Sequence, residues 1–256
     1  WSSDVCSSDL VFGHVLPYAD PYGYRFLSAF SNKTLDESGE LDFNPFHNQF
    51  GITTKLSSLT NCGKVHRSLI SVLMFDFDIT LTHRQRLESA IPHTYDDNNF
   101  RFTDPIIGQK FFNNLPLAAS EFNEDNFLTN GHNHNVNLRD SLQLIQKGFC
   151  HVIGEDPFWI HGARVSEKSF KPILALRPFL LLGPNGTLEW LREKGFQTFD
   201  RWWDESYDNE PSHIKRLEAV YRITESINSW PMKKCKKVLK EMTPILEHKD
   251  RKSTRL

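Results

Sequence analysis

Three stretches of this chain combine residue types that do chemistry with spacings that let them act together. In the first, Phe75–Thr82 (FDFDITLT), Asp76 and Asp78 follow an apolar run. Such a pair suits a carboxylate nucleophile with its acid/base partner, or a pair of metal ligands. Its plain alternative is two solvated carboxylates at a strand end. The second stretch is GHNHNVN, where His132 and His134 stand two apart. On a strand they would share a face. A closed site needs three or four ligands, and the Asn-rich surroundings read as loop, so no metal is assigned. The third is the long block from Glu155 to Asp208. Ser166 is placed to cap a helix, Glu167 sits in its first turn, and Arg164, Lys168 and Lys171 surround that start. Cations and free backbone N–H groups at a helix N-terminus suit a diphosphate. The Glu167 carboxylate can accept two hydrogen bonds from vicinal hydroxyls. The same Glu167 and Lys171, four apart, also read as a helix-surface ion pair worth about 0.2–0.5 kcal/mol.

Composition bounds what these residues can serve. The 256 residues include 39% hydrophobic and 24% charged side chains, with 30 basic against 32 acidic, a net charge of −2. No basic excess points to nucleic acid as a partner, and no acidic block reads as a solvating tail. The longest apolar runs, around Leu69–Phe75 and Phe179–Leu182, fall far short of the roughly 20 residues of a membrane span. The first ten residues, WSSDVCSSDL, and the last seven, DRKSTRL, read as translations of an adapter DNA and its reverse complement. They are set aside as non-native, and the natural N-terminus is expected to be missing. Without Cys6, the remaining Cys62, Cys150 and Cys235 are scattered and odd in number. They are expected to be free thiols in a reducing, cytoplasmic setting. Oligomeric state is not legible.

The elements that must position these residues follow from pattern. Ser68–Phe75 (SLISVLMF) reads as a buried strand, His83–Ala90 as a short helix, and 92–139 as turn-rich. Beyond that the order is helix 140–146, strand 149–154, helix 166–176, strand 178–182, helix 187–194 closed by Gly195, a short strand 196–199, then helices 211–228 and 232–247. Alternating strands and helices predict a parallel α/β sheet. Ligands bind at the carboxyl ends of such strands, which points to the residues after 154 and 182, Glu155 and Gly183 among them. Phe196, Phe199, Trp202 and Trp203 read mainly as packing, and Lys233, Lys234, Lys236 and Lys237 as a solvated run.

Two resemblances attach to these motifs. LMFDFDxTLT is similar to the haloacid-dehalogenase-like phosphatases, although Ile79 stands where that family has Gly and no convincing downstream acidic pair follows. The stretch ARVSEKSFKPILALRPFLLLGPNGTLEWLREKGFQTFDRWWDESYD resembles a glycosyltransferase-like family of phages, large viruses and bacteria. The shared pattern is carried by Ser166–Pro172 (SEKSFKP), Gly195-Phe196, Thr198-Phe199 and Asp204–Asp208 (DESYD). The helix and proline-led strand are also similar to the donor-binding half of fucosyltransferase-like and exostosin-like enzymes. The resemblance implies a GT-B-like fold, two Rossmann-like halves with parallel sheets. A truncated acceptor-side half would span 11–139 and a nucleotide-sugar half 140–249. It implies sugar transfer from a nucleotide-sugar co-substrate to a glycan or other hydroxyl acceptor, with no obligatory metal and no other cofactor. Glu155, Arg164, Ser166, Glu167, Lys168, Lys171 and Gly183 would form the donor site, Lys168 also meeting charge on the leaving diphosphate. Asp76, Asp78 and His83 are the available bases. The rival readings are a phosphatase on Asp76 and Asp78, and a non-catalytic sugar-binding or structural relative.

Overall fold

Four short strands lie side by side, all parallel, in the order β2-β1-β3-β4. They are β1 (Thr54–Ser58), β2 (Ile79–Leu81), β3 (Gly148–Gly154) and β4 (Phe179–Leu182). The computed structural model describes residues 44, 46–59, 64–81, 101–115, 138–156 and 158–254, and only the backbone at 81, 138–140, 167 and 248–254. Among these residues seven helices accompany the strands: α1 (Val65–Leu73), α2 (Pro105–Asn113), α3 (Leu138–Lys147), α4 (Glu167–Leu174), α5 (Thr187–Glu193), α6 (His213–Ser229) and α7 (Met232–Thr254). A 3-10 turn spans Ser206–Asn209. The architecture is the mixed α/β, Rossmann-like arrangement expected from the strand–helix alternation.

The chain leaves β1 through α1 and lands in β2 on one side, while β3 and β4 build out on the other. The reversal puts a topological switch between β1 and β3. β1 and β2 precede residue 139 and β3 and β4 follow it, yet β1 pairs directly with β3, Leu56 opposite Cys150. The described residues therefore form one sheet, and the expected boundary at 139 is not a seam between two facing sheets.

Burial explains which patterns were legible. β3 is buried over six of its seven residues, as a central parallel strand requires. α4 begins where expected, with the Ser166 hydroxyl accepting from the Lys168 amide. α5 ends at Gly195, whose φ of 80° is the left-handed value that glycine takes without penalty. Ser68–Phe75 is a correction. Its residues 68–73 lie in α1, which is buried continuously from His66 to Leu73. A short, wholly buried run whose few polar residues, Ser68 and Ser71, also face the interior suits a helix as well as a strand, and its length cannot separate the two. The true strand is β1, TKLSS, whose Ser57 and Ser58 hydroxyls donate to the carbonyls of Ile145 and Val152. Those bonds let polar side chains sit in the sheet's interior. α2 also emerged from text read as turns, started by the Asp104 cap and Pro105. Residues 196–199 form no strand; Phe196 and Phe199 are buried as packing. The proposed helix 83–90 and the pair His132/His134 lie outside the described residues.

Among the described residues no helix is long and apolar enough to cross a membrane. Cys150 and Cys235 are buried free thiols, and burial pushes both pKa values up. Burial acts oppositely on His151 in β3, pulling its pKa down to about 3, with the Lys171 charge adding to the effect. His66 in α1 is likewise held neutral, mainly by burial and then by Arg67. Both histidines must protonate on unfolding at acid pH. Their stability contribution is therefore present above about 6.5 and is lost as the pH falls below it, for His151 down towards 3. Between pH 7 and pH 5 the His151 contribution should fall by about 2 kcal/mol. Urea denaturation of the wild type and of His151→Gln at those two pH values checks this. The wild type should lose more stability than the variant; equal losses would remove His151 as the cause.

Candidate functional site

Glu155 follows directly on β3 and is completely buried, an expensive place for a carboxylate. Its donors account for its survival there. Oε1 accepts from the Ser166 amide at 2.8 Å and the Ser169 hydroxyl at 2.7 Å, and Oε2 from the Asp156 amide at 3.3 Å. The Ser166 hydroxyl lies 2.8 and 2.7 Å from the two oxygens. A single carboxylate thus holds both ends of the loop 156–165 and sits on the first turn of α4. It fills the position expected to receive a diphosphate, so Glu155 and Ser166 are positioning residues rather than ligand contacts. Gly183 serves the same packing. A Cβ there would stand 2.7 Å from Leu181 Cδ2 and 2.9 Å from Glu155 Cβ.

The loop itself is the exposed part of the carboxyl edge. Residues 159–164 are all exposed, with Trp159 at 42% and Ile160 at 41%. The Arg164 amide donates to the Thr187 hydroxyl, and its side chain lies on the exposed stretch. His161 is joined to the β4–α5 turn by a bridge to Asn185, whose Oδ1 lies 3.2 Å from the imidazole Nδ1. Facing it from the start of α6 is His213, with ring centroids 6.1 Å apart. Trp159 meets His213 edge-on at 5.1 Å. Arg216 anchors the group from below, donating to the carbonyls of Gly183 and Phe158 and to His213 Nδ1. Burial, then Arg216, then His161 lower the His213 pKa. Nearer the switch point, His66 stacks on Phe158 at 4.7 Å. Arg67 donates to the Gly154 carbonyl and Lys64 pairs with Asp156 at 3.2 Å, so the crevice is spanned by charged groups.

The remaining expected site residues divide by position. Lys168 belongs to the edge, with Nζ 3.4 Å from the Ser166 hydroxyl. Lys171 is a turn lower, where its charge acts on buried His151 rather than on the loop. The Glu167 side chain and His83 lie outside the described residues. Asp76 and Asp78 precede β2 at the sheet's opposite, amino-terminal edge. There Asp76 is paired with Lys110, and the Asp78 amide donates to the Asn228 side chain. Both are exposed and lie away from the loop, because the run before them is a helix and not the strand they were expected to end.

The resembling motifs turn out to build scaffold. Asp208 accepts from the Leu188 and Glu189 amides, capping α5. Buried Glu205 accepts from the Phe199 amide and from Arg192. The Leu181 amide donates to the Tyr207 hydroxyl. Trp203 is buried and Trp202 half-buried. A groove of about 370 Å³ lies between this segment and α6. Two of its polar side chains are occupied, Arg222 by Asp104 and Asp204 by Ser206. Lys233, Lys234, Lys236 and Lys237 are exposed along α7, as expected. Among the described residues no group of three or more His, Cys, Asp or Glu side chains could hold a metal.

His161 was missed in the sequence, although its segment was singled out. The signal was a lone imidazole before a glycine just past a buried strand. Comparison of the chain with protein-family models, curated proteins and solved structures gave no match in any of the three.

Glu155→Ala should destabilise the protein by about 3 kcal/mol or more, since several buried donors lose a charged acceptor. Gly183→Ala should cost about 1–3 kcal/mol by overpacking. Urea midpoints measure both, and wild-type values in either variant would refute the corresponding packing role.

Proposed function

We propose that the protein is a glycosyltransferase that binds a nucleotide sugar across the loop 156–165 and transfers the sugar to a hydroxyl acceptor. The observation that carries this reading is the exposed stretch Trp159–Arg164, an indole, an imidazole and a guanidinium held over the carboxyl ends of β3 and β4. A parallel sheet of this winding takes ligands at that edge. A nucleotide sugar offers flat apolar faces for Trp159. Its diphosphate suits Arg164, which can form two parallel hydrogen bonds to it, with Lys168 beside the Ser166 cap. Charge growing on the departing diphosphate is what such cations stabilise during transfer.

In this reading the single sheet is the donor-binding half of a GT-B-like enzyme, and the donor is a co-substrate rather than a resident cofactor. The resemblance over residues 163–208 supports the same class. The motifs that carry it build the α4 cap, α5 and the flank of β4 beneath the exposed loop. The phosphatase alternative loses its support, because Asp76 and Asp78 stand at the other edge of the sheet. A binding-only relative would share the site and differ by releasing no nucleoside diphosphate.

A thermal-shift and calorimetric screen with UDP-glucose, UDP-galactose, GDP-mannose and GDP-fucose tests the proposal. One donor should raise Tm by mass action. Arg164→Ala and Lys168→Ala should each weaken that donor about tenfold, the loss of one hydrogen bond to a charged group. Tm values of the variants alone should stay unchanged, since Arg164 is exposed and α4 keeps its Ser166 cap. No shift with any donor, or undiminished binding by both variants, would refute it.

A further inference from the structure

Resting on that proposed function, we infer that His161 is its general base, taking the proton from the acceptor hydroxyl through Nε2. The geometry at Asn185 fixes which nitrogen is available. Asn185 Oδ1 lies 3.2 Å from His161 Nδ1 and can only accept. Nδ1 therefore carries the proton, and Nε2 is left with its lone pair. His213 has the opposite arrangement. Arg216 Nη2 lies 3.0 Å from its Nδ1 and can only donate, so the His213 proton is on Nε2. Two imidazoles with centroids 6.1 Å apart are thus held in complementary tautomers, one with an accepting Nε2 and one with a donating Nε2.

Among the described residues, position separates His161 from the other bases. It is exposed on the loop that also carries Trp159 and Arg164, at the carboxyl edge. Asp76 and Asp78 are at the opposite edge, Glu155 is enclosed by its own donors, and His66 and His151 are buried. The next residue, Gly162, has φ of +93° and open space where a side chain would project. An acceptor can therefore approach the imidazole past the backbone. The groups placed beside the ring are His213 of α6, whose Nδ1 accepts from Arg216, and Asn185 of the β4–α5 turn, which is neutral.

The step balances without a further reactant. The acceptor O–H bond breaks and its proton passes to His161 Nε2. The acceptor oxygen forms the new bond to the sugar's anomeric carbon. The bond from that carbon to the diphosphate oxygen breaks, and the diphosphate leaves with the electron pair. The imidazolium then returns its proton to water. Water can take the acceptor's place, which gives an assay with no acceptor identified.

The test is nucleoside diphosphate release from the donor found in the screen, with water as acceptor, followed against pH. His161→Ala should lower the rate about 100-fold or more, in the range for general-base catalysis, and remove the fall in rate on the acid side. Donor binding by calorimetry should change less than twofold. Asn185→Ala, which releases the tautomer but leaves the base, should lower the rate about tenfold. Added imidazole should restore part of the rate to His161→Gly and none to the wild type. A His161→Ala enzyme that keeps the wild-type rate and acid limb overturns the role of His161 and leaves the transferase reading standing. A wild type that binds none of the donors overturns both.

Discussion

A buried carboxylate in need of donors governs how this edge of the sheet is built. Glu155 cannot be exposed, since it continues β3 into the interior, and it cannot stay buried without hydrogen bonds. Its four donor groups come from the next residue and from the start of α4, eleven and fourteen positions on. The loop between is tied at both ends by this carboxylate and anchored by Phe158, which is fully buried, while residues 159–164 stay exposed. Gly183 completes the arrangement by letting the end of β4 approach Glu155, and Arg216 ties that glycine's carbonyl to α6.

What could be read from the sequence followed from how strongly one element constrained its own residues. β3 and β4 announced themselves as apolar runs bounded by turn residues, and α4 through a serine cap with an acidic first turn. β1 gave no such signal. Three of its five residues are Thr or Ser, and they are accommodated by hydroxyl bonds to carbonyls distant in sequence. The apolar run of α1 gave a false signal, because its few polar residues, Ser68 and Ser71, are buried with the rest and the run is short enough for either element. Asp76 and Asp78, read as the end of a strand, instead follow a helix and lead into β2. Glu155 was expected as a ligand contact for a similar reason. Its place at the end of a strand was visible, whereas the two serines that consume it are brought close only by the fold.

The segment 204–208 is heavily engaged in structure. Glu205 and Tyr207 each hold one backbone amide, in the Phe199 turn and in β4, and Asp208 holds two at the start of α5. His161 and Arg164 lie on the exposed loop before it, and Lys168 stands between the two on α4.

The hydroxyl of Tyr207 has one more effect. Among the described residues β4 is the last strand of the sheet, and the Leu181 amide points away from β3, the direction in which another strand would add. With that amide donating at 3.3 Å to a tyrosine from the chain's own 3-10 turn, the row of donors on this border is interrupted at its centre. A foreign strand could not zip onto β4 without first expelling the tyrosine from a site where it is 3% exposed. The border is thus closed to cross-β growth by a side chain rather than by charge or proline, the devices more often used to protect an outer strand from aggregation.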